Sequence, residues 1–455
     1  METSTDNKLD SITKSSNDTI KYHRNRSNSS TEKENKVKLL LGLGFWMQGF
    51  RCFPWMAVTF FLKDGLRVDP ASLQILQNSA NLPMVAKPFY GLVSDSFYVF
   101  GQHRIPYIAF GALLQAISWF AIASSSSSTI SFFTITVYLF LGNFGAAIVK
   151  VVNDALIAEF GKQTTFKSDL QSFVWVAASI GGIMGNLLGG VSIDQFSARS
   201  MFLSFGTLLT IQFFITISVS ESSLNLPKNQ SNHGIKRQLS DLVTVLRKPE
   251  MYRPILWFAG SCAIIPALTG SIFFYQTQHL KIESSVLGIS KVVGQVAMLL
   301  WGVVYNRYLK SITPRKLISS IQITLAFLML SDALFVKGFY RTMGIQDPVY
   351  VVVVSGLLEV LYLFKILPFS VLMAKLCPPG CEGSLMAFVT SSITLALIVS
   401  GYLGVALSSY VEVTKTDFSG LPKGLLIQAA FTVLPLFWSS FIPDVPKVKA
   451  VKKDL

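Results

Sequence analysis

The chain has 455 residues, 51% of them hydrophobic and only 14% charged, and its mean hydropathy is +0.49. A soluble domain carries about 25% charged residues, so this composition excludes an ordinary soluble protein and asks for lipid. The net charge of +14 is spread over short connectors between apolar runs, which excludes a basic nucleic-acid-binding domain.

Residues 1–38 are polar, with eight Lys/Arg and six Asp/Glu. Such a stretch cannot bury a core and is expected to be a disordered cytosolic tail. It lacks the apolar centre of a secretory signal. Twelve apolar segments follow, at 39–62, 75–94, 105–123, 129–153, 173–193, 200–220, 254–276, 286–305, 315–336, 349–372, 385–406 and 424–443. Runs of about 20 apolar residues match the thickness of a bilayer. Inside lipid every backbone group must pair within its own segment, so these runs are helices.

With the N-terminus in the cytosol, the connectors on that side hold 26 Lys/Arg and those on the opposite side 8. This is the bias that orients membrane helices, and it puts both termini in the cytosol. The expected fold is an all-α membrane protein of 12 transmembrane helices in two pseudo-symmetric six-helix bundles. The bundles are 39–220 and 253–443. They are joined by a cytosolic linker, 221–252, and followed by a basic tail, 444–455. Part of the linker, SDLVTVLRKPEMYRP, is either an amphipathic surface helix or a solvated loop.

The Gly-x-x-x-Asp signal Gly91–Asp95 closes the second segment, and a copy, Gly302–Asn306 followed by Arg307, closes the eighth. A signal repeated at half the chain length implies two similar halves. Lys87, Gly91 and Asp95 share one helix face. Gly91 is expected to admit a neighbouring helix, and Asp95 to accept bonds from a helix N-terminus and latch the halves.

Five cations lie inside predicted helices: Arg51, Lys87, Lys150, Lys291 and Lys365. They are joined by Glu359, and Asp332 lies near a helix end. A charge in hydrocarbon costs at least about 2.5 kcal/mol, so these side chains face a cavity, pair with one another, or snorkel. Arg51, Lys87 and Lys291 are the cavity candidates. Lys150 can snorkel, or pair with Asp154 at i+4. An excess of buried cations suits an anionic ligand, and aromatic residues such as Trp55, Trp257 and Tyr275 can stack a flat ring. Pro54, Pro83, Pro88, Pro266 and Pro368 interrupt apolar runs and allow bends. Gly181, Gly185 and Gly189, with Gly182 and Gly190 beside them, form a small-residue packing face. The four cysteines and four histidines show no metal spacing or disulfide framework. No phosphate loop or nucleophile elbow is visible, so neither an enzyme nor a cofactor is expected.

Five stretches, KPFYGLVSDSFYVFG (87–101), VVNDALIAE (151–159), FFYQTQHL with LGISKVVGQ (273–295), GVVYNRYLK (302–310) and AKLCPPGCEGSLMAF (374–388), resemble the folate–biopterin transporter family of the major facilitator superfamily. The resemblance implies a secondary transporter of folates and pterins, with proton symport as one coupling mode open to it, in a plastid envelope, plasma membrane or endomembrane. Carried over by position, Lys87, Asp95, Asp154, Lys291 and Glu382 match the family's polar signature. On this reading Arg51, Lys87, Lys291, Trp55, Trp257 and Tyr275 bind substrate. Glu359 couples to protons, and Gly91, Asp95, Asp154, Asn306 and Arg307 gate. The alternatives are a carrier of another organic anion or amphipathic metabolite on the same fold, or a receptor or scaffold that transports nothing. The partners are a small anionic substrate and the bilayer, and the oligomeric state is open.

Overall fold

The computed structural model describes residues 35–125, 130–163, 167–219, 221, 235–376 and 382–443. Most of the tail 1–38, the Cys377–Cys381 turn and the tail 444–455 lie outside the described residues. Among the described residues the chain is helical apart from turns and one isolated bridge, Val99 to Gln102. In chain order the first half holds α1 (35–50), α2 (Cys52–Phe60), α3 (Pro70–Ala80), α4 (Lys87–Ser96), α5 (Ile105–Ser124), α6 (Phe132–Gln163), α7 (Lys167–Gln195) and α8 (Ala198–Ile217). The linker holds α9 (Ile235–Leu246). The second half holds α10 (Pro249–Ala263), α11 (Thr269–Phe274), α12 (Ser284–Val304), α13 (Pro314–Val336), α14 (Phe339–Thr342), α15 (Asp347–Tyr350), α16 (Gly356–Leu361), α17 (Ile366–Leu376), α18 (Glu382–Tyr410) and α19 (Leu421–Val433).

Nine helices among the described residues are long and apolar enough to cross a membrane. The other three expected segments are helical but interrupted, at Arg51, at Asn81 and at 264–268. The prolines explain the breaks. Pro54 cannot bond back to the Phe50 carbonyl, Pro83 opens the 3-10 stretch Leu82–Ala86, and Pro266 lies within the break between α10 and α11. The fourth helix runs on to Gln163, so Lys150 is interior to it and not at its end. The linker residues 235–246 form a helix, which buries Leu242 and Val245 against Met251, Ile255 and Phe369 of the second half.

Helices in lipid gain little from apolar contact alone and pack closely where side chains are small. The glycine face of α7 shows both sides of this rule. A Cβ on Gly181 or Gly185 meets the carbonyls of Trp46 or Phe50, in the first segment. A Cβ on Gly190 would lie 2.9 Å from Gly288 Cα of α12. One helix therefore binds its own half on one side and the other half on the next.

The ends of the bundle differ. At the end opposite the linker, the halves are sealed around Gln74, which is 4% exposed. Its Nε2 donates to the carbonyls of Ala267 (2.7 Å) and Gly401 (2.6 Å), and its Oε1 accepts from the Gly270 N–H at 2.8 Å. Phe60 meets Phe273 edge-on at 5.3 Å, and Lys63 lies over both rings. At the linker end, a buried cluster ties the first half together. Glu221 accepts from the N–H groups of His103 (3.0 Å), Arg104 and Ile105 (2.8 Å), which are otherwise unpaired at the start of α5. The His103 ring lies 3.2 Å from Glu221 and 3.5 Å from Glu159. Arg104 reaches Asp95 (2.6 Å) and Glu159 (2.5 Å).

Two predictions follow from these ends. Gln74→Leu strips the side-chain partner from the Ala267 carbonyl and the Gly270 N–H, each costing about 1–3 kcal/mol when left buried and unpaired, while the Gly401 carbonyl keeps its place in α18. The thermal midpoint of the detergent-purified protein should fall by several degrees, and an unchanged midpoint would show that these bonds do not hold the seal. The second concerns pH. Burial opposes the charged His103 imidazole, but bonds to Glu159 and Glu221 outweigh it and raise its pKa from 6.5 to about 9. Burial also opposes the Glu221 carboxylate, yet the His103 ring and the three N–H groups lower its pKa from 4.5 to about 2. Stability from His103 is thus complete below about pH 6.5 and lost as pH rises through about 9. Stability from Glu221 is complete above about pH 4.5 and lost as pH falls through about 2. The melting gap between wild type and Glu221→Gln should be flat near neutral pH and close on acidification. A gap indifferent to pH would contradict the assignment.

Candidate functional site

Two of the interrupted segments, broken at Arg51 and at Asn81, meet at a polar centre beside the other half. Broken helices bring unpaired backbone and polar side chains to mid-membrane, where a transporter binds its cargo. In the first half, the Arg51 guanidinium donates to Oδ1 of Asn143 on α6. The Asn143 Nδ2 donates in turn to the Ala80 carbonyl at 2.7 Å and to Asn81 Oδ1 at 3.1 Å. Asn143 thereby satisfies the break in the second segment and orients the cation next to the break in the first. Cys52 follows Arg51, with Asn186 of α7 as a hydrogen-bond partner and with Lys291 and Glu359 of the other half close by.

Lys291 lies on the face of α12 that is turned toward the first half. Gly288, one turn before it, packs on Asn186 and Gly190, and Gln295, one turn after it, reaches Gly182. The Lys291 Nζ donates to Glu359 Oε1 at 3.2 Å. The lysine side chain is 41% exposed and the glutamate 55%, although both are set among protein on a helix face that meets the other half. They line the cleft between the halves. An exposed pair of this kind is worth about 0–1 kcal/mol, so either partner is readily exchanged for another ion.

Lys87 is the first residue of α4, directly after the 3-10 stretch. Lys150 and Asp154 are the charges near it, and they pair with each other at 3.9 Å. The cleft residues Arg51, Lys87, Lys150 and Lys291 thus outnumber Asp154 and Glu359. The arrangement can hold an anion, with a removable internal carboxylate at Lys291.

Other expected site residues lie elsewhere. Trp257 is buried inside the second half, and its Nε1 donates to the Pro435 carbonyl at 2.9 Å. Tyr275 is buried at the sealed end, stacked on His279 and against Phe335 and Phe418. Neither is brought to the cleft. Trp55 is half-buried and packs against the large apolar core that includes Phe53 and Ala57. Asp95 was expected to bridge the halves, but its ion pair is to Arg104 in its own half. Gly91 was expected to admit a helix closely. A Cβ there would lie 3.5 Å from Val151, an ordinary contact. The copy differs again: Asn306 and Arg307 are exposed on the π-turn Tyr305–Leu309, with Arg307 over the Tyr308 ring. Lys365 is 1% exposed, and Gln322 Oε1 accepts from its Nζ at 2.6 Å, so it neither lines the cleft nor snorkels.

Gln74, Asn143 and Asn186 are not among the residues that the sequence singles out. Their signal was a lone amide in an apolar run, which is weaker than a charge but marks the same need for a partner.

The sequence pattern of the BT1 family matches residues 48–454. "Probable folate-biopterin transporter 7" of Arabidopsis thaliana is 59% identical over 430 residues, covering 94% of this chain and 97% of that protein. "Probable folate-biopterin transporter 9, chloroplastic", from the same plant, is 40% identical over 420 residues, covering 90% and 78%. Among solved structures, the nucleoside transporter NupG superposes with a TM-score of 0.64 at 18% identity, covering 90% of this chain and 98% of that one. That likeness shows that this chain shares the overall helical fold of that protein. The chain is a polytopic membrane protein that belongs to the BT1 family.

Proposed function

We propose that this chain is a secondary transporter that carries folates and pterins, flat anionic aromatic compounds, by alternating access. The linker end and both termini face the cytosol in this reading. The observation that carries it is the Lys291–Glu359 pair, accessible in a cleft that also holds Arg51 and Lys87. The names of the BT1 relatives support the substrate class.

The chemistry runs through one exchange. Lys291 is paired with Glu359 in this structure. A proton arriving on Glu359 cancels its charge and frees the Lys291 ammonium. A substrate carboxylate then takes the place of Glu359, and Arg51 and Lys87 supply further positive field. The bound ligand draws the halves together at the linker end, and the seal at Gln74 and Phe60–Phe273 parts. Asp95 gates by holding α4 to α5 through Arg104, and Asp154 by balancing Lys87 and Lys150. Asn306, Arg307 and Gly91 border the linker end, where that movement is largest. Binding must favour one state over the other for this to work, and a carboxylate that spans both halves does so.

Lys291→Ala removes one charge-assisted hydrogen bond, worth about 1.5–3 kcal/mol. The KM for folate uptake into reconstituted vesicles should rise roughly 10- to 150-fold, and Lys291→Arg should recover part of the loss. Glu359→Gln should bind folate at least as tightly as wild type but lose the pH dependence of uptake. Unchanged uptake in Lys291→Ala would remove that residue from the site. Competition by other organic anions but not by folate or pterin would reassign the cargo within the same fold.

A further inference from the structure

A second carboxyl group is buried near the end of α13 opposite the linker and plays no part in the exchange just described. Asp332, four residues before the end of α13, is 6% exposed. Among the described residues its one hydrogen-bond donor is the Tyr350 hydroxyl, at 3.0 Å. The charged and titratable groups around it are all occupied elsewhere. Arg341 pairs with Asp347 at 2.8 Å, and Lys423 of α19 lies over the Tyr410 ring. The Tyr275 hydroxyl donates to the Val336 carbonyl, and His279 stacks on that tyrosine. An ionised carboxylate can accept about four bonds and needs a counter-charge when buried. This one has a single neutral donor, which suits a carboxylic acid.

Tyr350 is also the end of a chain of hydroxyls. Its oxygen lies 2.8 Å from Ser331 Oγ, which lies 2.8 Å from the Tyr340 hydroxyl. Tyr340 sits on α14, in the connector at the end opposite the linker, and is partly exposed. Each hydroxyl both donates and accepts, so the chain can pass a proton by successive hops. The partners of this chain also reach the cleft. Tyr350 directly precedes the π-turn Val351–Ser355, on the same interrupted segment as Glu359. The Val351 carbonyl accepts from Ser290 Oγ at 2.8 Å, and Ser290 adjoins Lys291.

We infer that Asp332 is a proton-loading site for the end of the transporter opposite the linker, filled through Tyr340, Ser331 and Tyr350. In loading, water at that face gives a proton to the Tyr340 oxygen. Tyr340 passes its own hydroxyl proton to Ser331, Ser331 passes its to Tyr350, and Tyr350 passes its to an Asp332 carboxylate oxygen. Each hydroxyl keeps one proton, and the net change is one solvent proton bound to Asp332. Unloading reverses the order. The loaded acid keeps the Tyr350 contact neutral, and once ionised the carboxylate draws that hydroxyl proton more strongly toward itself at the head of the π-turn. This inference rests on the reading of a proton-driven folate carrier.

Labelled folate in reconstituted vesicles tests it. With one proton on Glu359 and one on Asp332 for each folate, a gradient of one pH unit drives about 100-fold accumulation, and wild type should show it. Asp332→Asn keeps the size and polarity of the loaded acid. It should lose the share due to Asp332, falling to about tenfold, while folate–folate exchange without a gradient stays within about twofold. Tyr350→Phe cuts the hydroxyl chain and should behave alike. It serves as the second probe in case Asp332→Asn does not fold. The infrared band of a protonated carboxyl in wild type at neutral pH should diminish in Asp332→Asn. If wild type accumulates folate under the gradient and both variants do so equally, Asp332 is not the loading site. If wild type exchanges folate but ignores the gradient, the proton-driven reading fails, and this inference with it.

Discussion

A helix that breaks inside a membrane leaves backbone groups that lipid cannot satisfy. Much of this molecule is arranged around that constraint. The break at Asn81 is closed by Asn143 from α6. The break at 264–268 is closed from two directions, by Gln74 of α3 on the Ala267 carbonyl and by the Ser400 carbonyl on the Ala267 N–H. The irregular stretch before α17 is closed by Trp301 Nε1 on the Phe364 carbonyl at 3.1 Å. Each repair comes from another segment, and at Ala267 it comes from the other half of the molecule. Breaking a helix therefore creates an interface, and a repair that crosses the halves can be made in one state and released in the next.

The charges follow the same economy. Lys365 takes the fully buried solution, with a glutamine acceptor and the Phe258 ring as its surroundings. Arg104 and His103 take the dense solution, sharing Glu159, Glu221 and Asp95 at the linker end. Lys291 takes neither. Its partner is a single exposed glutamate, and its other neighbours across the cleft are a cysteine and an amide. A cation paired this loosely among closely packed helices costs little to release from its partner. The glycines of α7 make this possible, because they let the two halves approach within backbone contact beside it.

How much of this was legible in the sequence depends on how strongly each residue is constrained. Lipid imposes a simple rule on long apolar runs, so helices such as α5, α13 and α19 stand where the pattern put them. The glycine spacing of α7 announced close packing, and the prolines marked the breaks. The cations were visible because charge is costly in hydrocarbon, but cost alone does not say which way a side chain points. Lys291 and Lys365 look alike in sequence, and one lines the cleft while the other is enclosed. The aromatic residues were less legible still. Trp257 and Tyr275 serve packing as well as they could serve a ligand, and nothing in their local pattern separates the two uses. The Asp95 contact turned inward, to Arg104, because the loop between them is short enough for the two to meet within one half.

The central claim is a water-filled cleft between the halves, lined by cations and entered by a carboxylate. Cys52 sits in that cleft beside Arg51, Asn186 and Lys291 and reports on it directly. In a variant with Cys262, Cys377 and Cys381 replaced by serine, the measurement is the rate at which a negatively charged thiol reagent modifies Cys52 in the folded protein. The account predicts modification without unfolding, slowed when folate is present. A Cys52 that stays unmodified until the protein is denatured would contradict it.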